Sequence, residues 1–210
     1  MKLTRKMKKI YILLSALIFC FSTSVPVVAQ TGGQSVRYNL RVLNMKIGEL
    51  NVNQQVTGDE VVVDAITDVK VKIIFTYKVR FLQHSIYRQG ALWSSHLQTI
   101  KNGSVNSDTW LKKSGDGYLL VQDGDSTLIH DKITYSGSLL YFNEPVHTPV
   151  LYQEIDGEKR NMKQEGEQTY VLTDKKGHVT NTYVYKNGIL DHAEIKHTLA
   201  NIYMDRSTNN

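Results

Sequence analysis

The stretch Val69–Phe81, VKVKIIFTYKVRF, constrains this chain more than any other. Every odd position is apolar: Val69, Val71, Ile73, Phe75, Tyr77, Val79 and Phe81. Lys70, Lys72, Lys78 and Arg80 hold four of the even positions. Successive side chains on a strand point to opposite faces, so this two-residue period predicts one β-strand with an apolar face and a basic face. As a single strand it would run roughly 43 Å at 3.3 Å per residue, and a strand of that length has to twist and coil. It therefore predicts a strongly curved sheet or a partly closed barrel. The same pattern puts Ile73 and Phe75 in the core, and Lys72 and Lys78 in water.

The rest of the chain has the same texture. Short alternating runs are separated by turn signals such as Gln89-Gly90, Asn102-Gly103, Asp123-Gly124 and Asn187-Gly188. Asn-Gly and Asp-Gly accept positive φ at little cost, which suits the primed turns of two-residue hairpins. The fold class expected is all-β, an antiparallel meander with little helix. Its strands include 60–67, 69–82, 84–89, 91–101, 104–113 and a long last one over 189–204. The nearest approach to a helix is a short turn within Asp131–Phe142.

The first 29 residues read as a signal peptide. Lys2, Arg5, Lys6, Lys8 and Lys9 precede the apolar run Ile10–Phe21, which is short for a bilayer span, and Val27-Val28-Ala29 offers a cleavage site before Gln30. Residues 30–210 then form a single domain, with no stable membrane span after cleavage. The chain has 25 Lys and Arg against 20 Asp and Glu, but five of those bases and none of the acids lie in the leader, so the remainder is formally neutral. A neutral domain has no electrostatic footprint for nucleic acid. The single cysteine, Cys20, also falls in the leader, so the mature chain relies on its core alone. Export to the periplasm or the extracellular space follows as an expectation.

One segment breaks the rhythm. Ser136–Pro149, SGSLLYFNEPVHTP, holds both prolines that follow the leader and the unalternated apolar run Leu139, Leu140, Tyr141 and Phe142. Proline withholds an amide donor and biases the residue before it to extended backbone. This segment reads as a crossover packed into the core or covering one mouth of the sheet.

The sequence also resembles a known family. The resemblance rests on Ile47-Gly48-Glu49 after the first strand, Gly137 with Leu140-Tyr141-Phe142-Asn143-Glu144-Pro145 in the middle, and Tyr183-Val184-Tyr185-Lys186-Asn187-Gly188-Ile189-Leu190 near the end. In this order and spacing they are similar to a family of small exported β-rich proteins of the bacterial envelope, catalogued as a domain of unknown function. The resemblance implies a curved antiparallel sheet and brings no reaction, ligand or active residue. In style the chain is also similar to the half-barrel lipoprotein carriers of the periplasm, which is fold-level analogy.

Chemistry-bearing patterns are sparse. The seven histidines include no HExxH pair, no cysteine follows the leader to complete a zinc site, and no metal or cofactor is expected. Asp123-Gly124-Asp125 lacks the spacing of a calcium loop, and Ser136-Gly137-Ser138 lacks that of a nucleophile elbow. No catalytic residue is assigned. What stands out is two polar strands, 91–101 and 104–113, that each carry a tryptophan. Across an Asn102-Gly103 turn, residues whose numbers sum to about 205 face each other, which pairs Trp93 with Lys112 and Trp110 with Ser95. The candidate ligand contacts are therefore Trp93, Trp110, Leu139, Leu140, Tyr141 and Phe142. The function expected is a non-enzymatic binding or accessory protein of the envelope, whose concave apolar face takes a lipid-like ligand or a segment of a partner protein. The rival readings are a small outer-membrane β-barrel and a hydrolase with an unrecognised site.

Overall fold

The computed structural model describes residues 31–72 and 76–208. The leader over residues 1–29, the burial of Ile73 and Phe75, and the exposure of Lys72 lie outside the described residues and side chains. What is described is one antiparallel sheet. Its first arm comprises β1 (Thr31–Val42), β2 (Met45–Thr57), β3 (Glu60–Lys72), β4 (Thr76–Arg88), β5 (Ala91–Lys101), β6 (Ser104–Ser114), β7 (Gly117–Gln122) and β8 (Asp125–Ile129). After a crossover the second arm follows: β9 (Val150–Tyr152), β10 (Lys159–Gly166), β11 (Thr169–Thr173), β12 (Val179–Lys186), β13 (Ile189–Ile195) and β14 (Ile202–Arg206).

The two arms join in the middle. β14 pairs with β1, from Tyr38 opposite Arg206 to Val42 opposite Ile202, so the spatial order runs β8 through β1 and then β14 back to β9. The outermost strands, β8 and β9, share no ladder. The sheet curls until the β9–β10 loop lies against β7 and β8, where a Cβ on Gly157 would meet Ile129 and Leu120. The result is barrel-like but not closed. Among the described residues no helix is long and apolar enough to cross a membrane.

Turn chemistry behaves as the dipeptides predict. Asn102-Gly103, Asp123-Gly124 and Asn187-Gly188 all have positive φ at both positions, the requirement of a primed hairpin turn.

The long strand over Val69–Phe81 is a correction: it is a hairpin. Val69 pairs with Val79, Lys70 with Lys78 and Lys72 with Thr76 across β3 and β4. Partner numbers sum to an even value, so odd residues pair with odd and the apolar alternation runs on through the reversal. Periodicity alone cannot separate one strand from two arms in that register. Within the described part of the stretch the odd residues Val69, Val71, Val79 and Phe81 are half-buried and the even residues Lys70, Lys78 and Arg80 exposed, and the odd row becomes fully buried further along the same strands at Val63, Ala65, Gln83 and Tyr87. The expected strand over 189–204 is a second correction, because it is β13 and β14 joined by an exposed loop that carries Leu199. Neither reversal contains glycine.

The concave side is packed with side chains. One cluster joins Tyr38, Val52, Val63, Tyr170, Leu172, Tyr185 and Leu190 from β1–β3 and β11–β13. A second joins Tyr87, Leu92, Leu111, Tyr118 and Tyr152. The crossover lies between them. Its 3-10 helix, Gly137–Tyr141, presents Leu139 to the second cluster and Leu140, with Tyr141 and Phe142 beside it, to the first.

Candidate functional site

Three places carry chemistry worth building up: a polar knot inside the barrel, an aromatic stripe outside it, and the end of the barrel that bears the β3–β4 hairpin.

The knot is centred on Glu154, in the loop after β9 and only 3% exposed. Four donors converge on its carboxylate. Oε1 accepts from Ser136 Oγ at 2.5 Å, the Ser138 amide at 3.0 Å and Gln83 Nε2 at 3.2 Å, and Oε2 accepts from the Gly137 amide at 3.0 Å. The two amides open the 3-10 helix and would otherwise be unpaired. No cation lies within ion-pair distance of Glu154 among the described residues, so hydrogen bonds alone hold its charge.

Proton directions follow from this geometry. Ser136 gives its only hydroxyl proton to Glu154, so the Tyr87 hydroxyl donates to Ser136, and Ser138 donates to Tyr87 at 2.7 Å. Burial first, and the Glu154 charge second, push the Tyr87 hydroxyl far above its usual range. Tyr141 is raised for the same two reasons. Gln83 extends the knot to Ser85 at 3.3 Å, and Ser85 meets Ser95 at 2.8 Å. Ser85, Ser95, Ser136 and Ser138 are all fully buried. The knot is a latch: it ties the crossover to β4, β5 and the β9–β10 loop.

Other bonds fasten the crossover on its remaining sides. Tyr185 donates to the Leu140 carbonyl at 2.8 Å, Tyr170 to Glu144 at 2.8 Å, and Asn143 to Gln54 at 3.3 Å. Leu140 and Phe142 are buried, and Leu139 and Tyr141 half-buried. These four residues are a fixed plug of the interior.

The tryptophans stand on the other side of the sheet. Trp93 is 43% exposed and Trp110 is 36% exposed. A bulge leaves Trp93 without a partner, since Tyr87 pairs with Leu92 and Ile86 with Ser94. A second bulge, between Thr99 and Ile100, moves the β5–β6 register by one, so that Trp110 faces His96 and Lys112 faces Ser94. His96 stacks on Trp110 at 3.8 Å and bonds Asp108 at 2.6 Å, while Lys112 lies over the same indole at 4.2 Å. Arg88 lies over Trp93 at 4.8 Å. The structure thus brings Leu139, Leu140, Tyr141 and Phe142 together and leaves Trp93 and Trp110 apart from them on the outer surface. The latch is what sequence reasoning missed. Glu154 lies in a loop, and nothing in the sequence marks it as buried.

The third place is the β3–β4 end. The β2–β3 ladder stops at Gly48 opposite Val69, and the β4–β5 ladder stops at Val79 opposite Lys101. Beyond those pairs β3 and β4 continue as a two-stranded ribbon, steadied on one side where Lys78 and Asn102 exchange hydrogen bonds. On the row that is buried deeper in the barrel, Val69, Val71, Val79 and Phe81 are only half-buried here. Ile47, Val69, Val79 and Ile100 line an open depression of about 390 Å³ together with Asp68, Lys70, Lys78 and Arg80.

A barrel-like single sheet with a latched plug and one unfinished apolar end is the class of molecule these features define. The chain belongs to the family described as Domain of unknown function (DUF6134), which matches residues 38–207. No curated protein matches the chain. Among solved structures it is similar to a beta-barrel-like protein of domain of unknown function DUF1849 from Brucella abortus. That likeness has a TM-score of 0.54 at 7% identity, over 86% of this chain and 97% of that one, and it speaks to the fold alone.

Proposed function

We propose that the chain is a non-enzymatic binding or accessory domain of the bacterial envelope, exported by its leader, that holds a lipid-like ligand or an apolar partner segment at its β3–β4 end. The observation that carries this reading is the contrast between the plugged interior and that end. Inside, the apolar rows are covered by Leu140, Phe142 and their neighbours. At the end, Val69, Val71, Val79 and Phe81 belong to the same inner rows and are only half-buried, and Val69 and Val79 line the depression. Uncovered apolar surface costs roughly 25 cal/mol per Å², so a ligand that covers it gains what the fold leaves unused.

The exterior favours a water-facing barrel over a lipid-embedded one. Glu60–Arg88, Asp64–His84 and Asp68–Arg80 pair across the convex side of β3 and β4, where a membrane barrel needs an apolar band. On this reading Leu139–Phe142 fill the interior, and Trp93 and Trp110 are not ligand contacts.

Titration of the purified domain with a fluorescent long-chain fatty acid tests the proposal. Saturable binding is expected, weakened by Val71→Ser with Val79→Ser and unaffected by Trp93→Phe. Absence of saturable binding, or binding indifferent to the valine changes in a variant that still melts cooperatively, overturns it.

A further inference from the structure

The projecting ribbon is amphipathic in a particular way. Lys70 and Lys78 stand directly opposite each other on its outer face, with Arg80 two residues further along. Like charges placed opposite each other destabilise a ladder. Arg80 is neutralised by Asp68 at 3.1 Å. Lys70 and Lys78 are exposed, and no carboxylate lies within ion-pair distance of either among the described residues. The residues that join the arms, Ile73-Ile74-Phe75, bring no charge to answer them. Elsewhere on the same strands the outer rows are paired with acids, as at Glu60–Arg88 and Asp64–His84. Among the described residues the charges of Lys70 and Lys78 are thus left without an ion-pair partner where β3 and β4 run on beyond β2 and β5. The opposite face of that ribbon carries the half-open Val69, Val71, Val79 and Phe81.

We infer that the β3–β4 ribbon docks this domain on an anionic lipid surface, with Lys70 and Lys78 at the headgroup phosphates and the valine face turned to the acyl boundary. Nucleic acid would answer the lysines but not the aliphatic face, and an apolar peptide would answer the face but not the lysines. A membrane surface of acidic lipid offers both within the width of one ribbon. A lysine near such a surface contributes about 1 kcal/mol, or about fivefold in partitioning, and the effect decays within a Debye length. The inference rests on the β3–β4 end being the working end, and it names the partner there.

The test is co-sedimentation of the domain with vesicles of phosphatidylcholine alone and of phosphatidylcholine with phosphatidylglycerol, at low and high salt. Binding to the acidic vesicles is expected, falling as salt rises. Lys70→Gln with Lys78→Gln should lower it about 25-fold without lowering the melting temperature, because both side chains are exposed and the change relieves a like-charge pair. Equal binding to neutral vesicles, a double variant that binds like the parent, or capture of polyglutamate instead of vesicles each overturns the inference. The fluorescent fatty acid titration, run in parallel, separates the two failures. If the fatty acid binds and the vesicles do not, docking alone is wrong. If neither binds, the β3–β4 end is not the working end.

Discussion

Glu154 shows how one buried residue can hold a fold's conformation without a counter-charge. Each of its four partners donates to it, so a side chain that itself donates cannot take its place. Glu154→Ala leaves those donors unpaired and is expected to cost about 3 kcal/mol, near the upper range for stranding a buried hydrogen-bonding group. Glu154→Gln is expected to recover little of this, because its amide nitrogen would face another donor. Urea denaturation of both variants decides the matter, and a Gln variant as stable as the parent would show that the knot is not built on a carboxylate. Gly48 is constrained by space rather than by hydrogen bonds. A Cβ there would overlap the Asp68 carbonyl and come within 2.9 Å of Val69 Cα, both of them backbone atoms that cannot swing aside. Gly48→Ala should therefore destabilise by about 1–3 kcal/mol, the usual range for overpacking. A melting temperature that does not move would mean the β2–β3 pair can spread at no cost.

At the scale of elements, the plug and the ribbon differ in what they owe to burial. Leu140 is 6% exposed between β13 and β3 in the larger cluster, and Leu140→Ala is expected to cost about 2–5 kcal/mol. Lys78 stands in water, and Lys78→Ala should change stability by less than about 0.5 kcal/mol. Equal melting shifts for the two would mean that the faces are wrongly assigned. Legibility in the sequence follows the same division. Hairpins closed by Asn102-Gly103, Asp123-Gly124 or Asn187-Gly188 could be read because only a few residue types tolerate that backbone. No glycine separates β3 from β4 or β13 from β14, and across β3 and β4 the register keeps odd opposite odd, so the period stays intact from one strand to the next. The bulge at Trp93 was equally silent, since an extra residue on one strand changes pairing without changing composition. Of the candidate site, Leu139–Phe142 stood out because the run broke the alternation. Glu154 did not, because its burial depends on its loop meeting Gln83 of β4 across 71 residues of chain.

For the molecule as a whole, the order of strands places the chain's last strand at the sheet's centre and its middle at the seam. β14 bridges β1 and β13. Removing residues 202–210 should therefore abolish cooperative folding, whereas an edge strand could be lost with local damage only. Retention of a sharp melting transition after that truncation would show that the two arms hold together through the plug. The interior is also unusually rich in phenol. Burial is the main cause that raises the hydroxyls of Tyr38, Tyr87, Tyr183 and Tyr185, and it pushes Tyr183 up to about 12 even though Asn181 donates to its oxygen at 2.7 Å. An unfolded tyrosine ionises near 10. A group whose folded value is raised contributes stability that is fully present below the unfolded value and is lost as pH climbs toward the folded one. Tyr183 alone accounts for about 2–3 kcal/mol between about pH 10 and pH 12. Tyr38 and Tyr185 lie higher still, so they resist ionisation until the fold gives way. The expected result is a cooperative alkaline transition above about pH 10, in which tyrosinate absorbance and loss of β-structure rise together. Tyr183→Phe should move that transition upward. Tyrosines that titrate smoothly near pH 10 in a domain that keeps its circular dichroism would show that these hydroxyls are in contact with water.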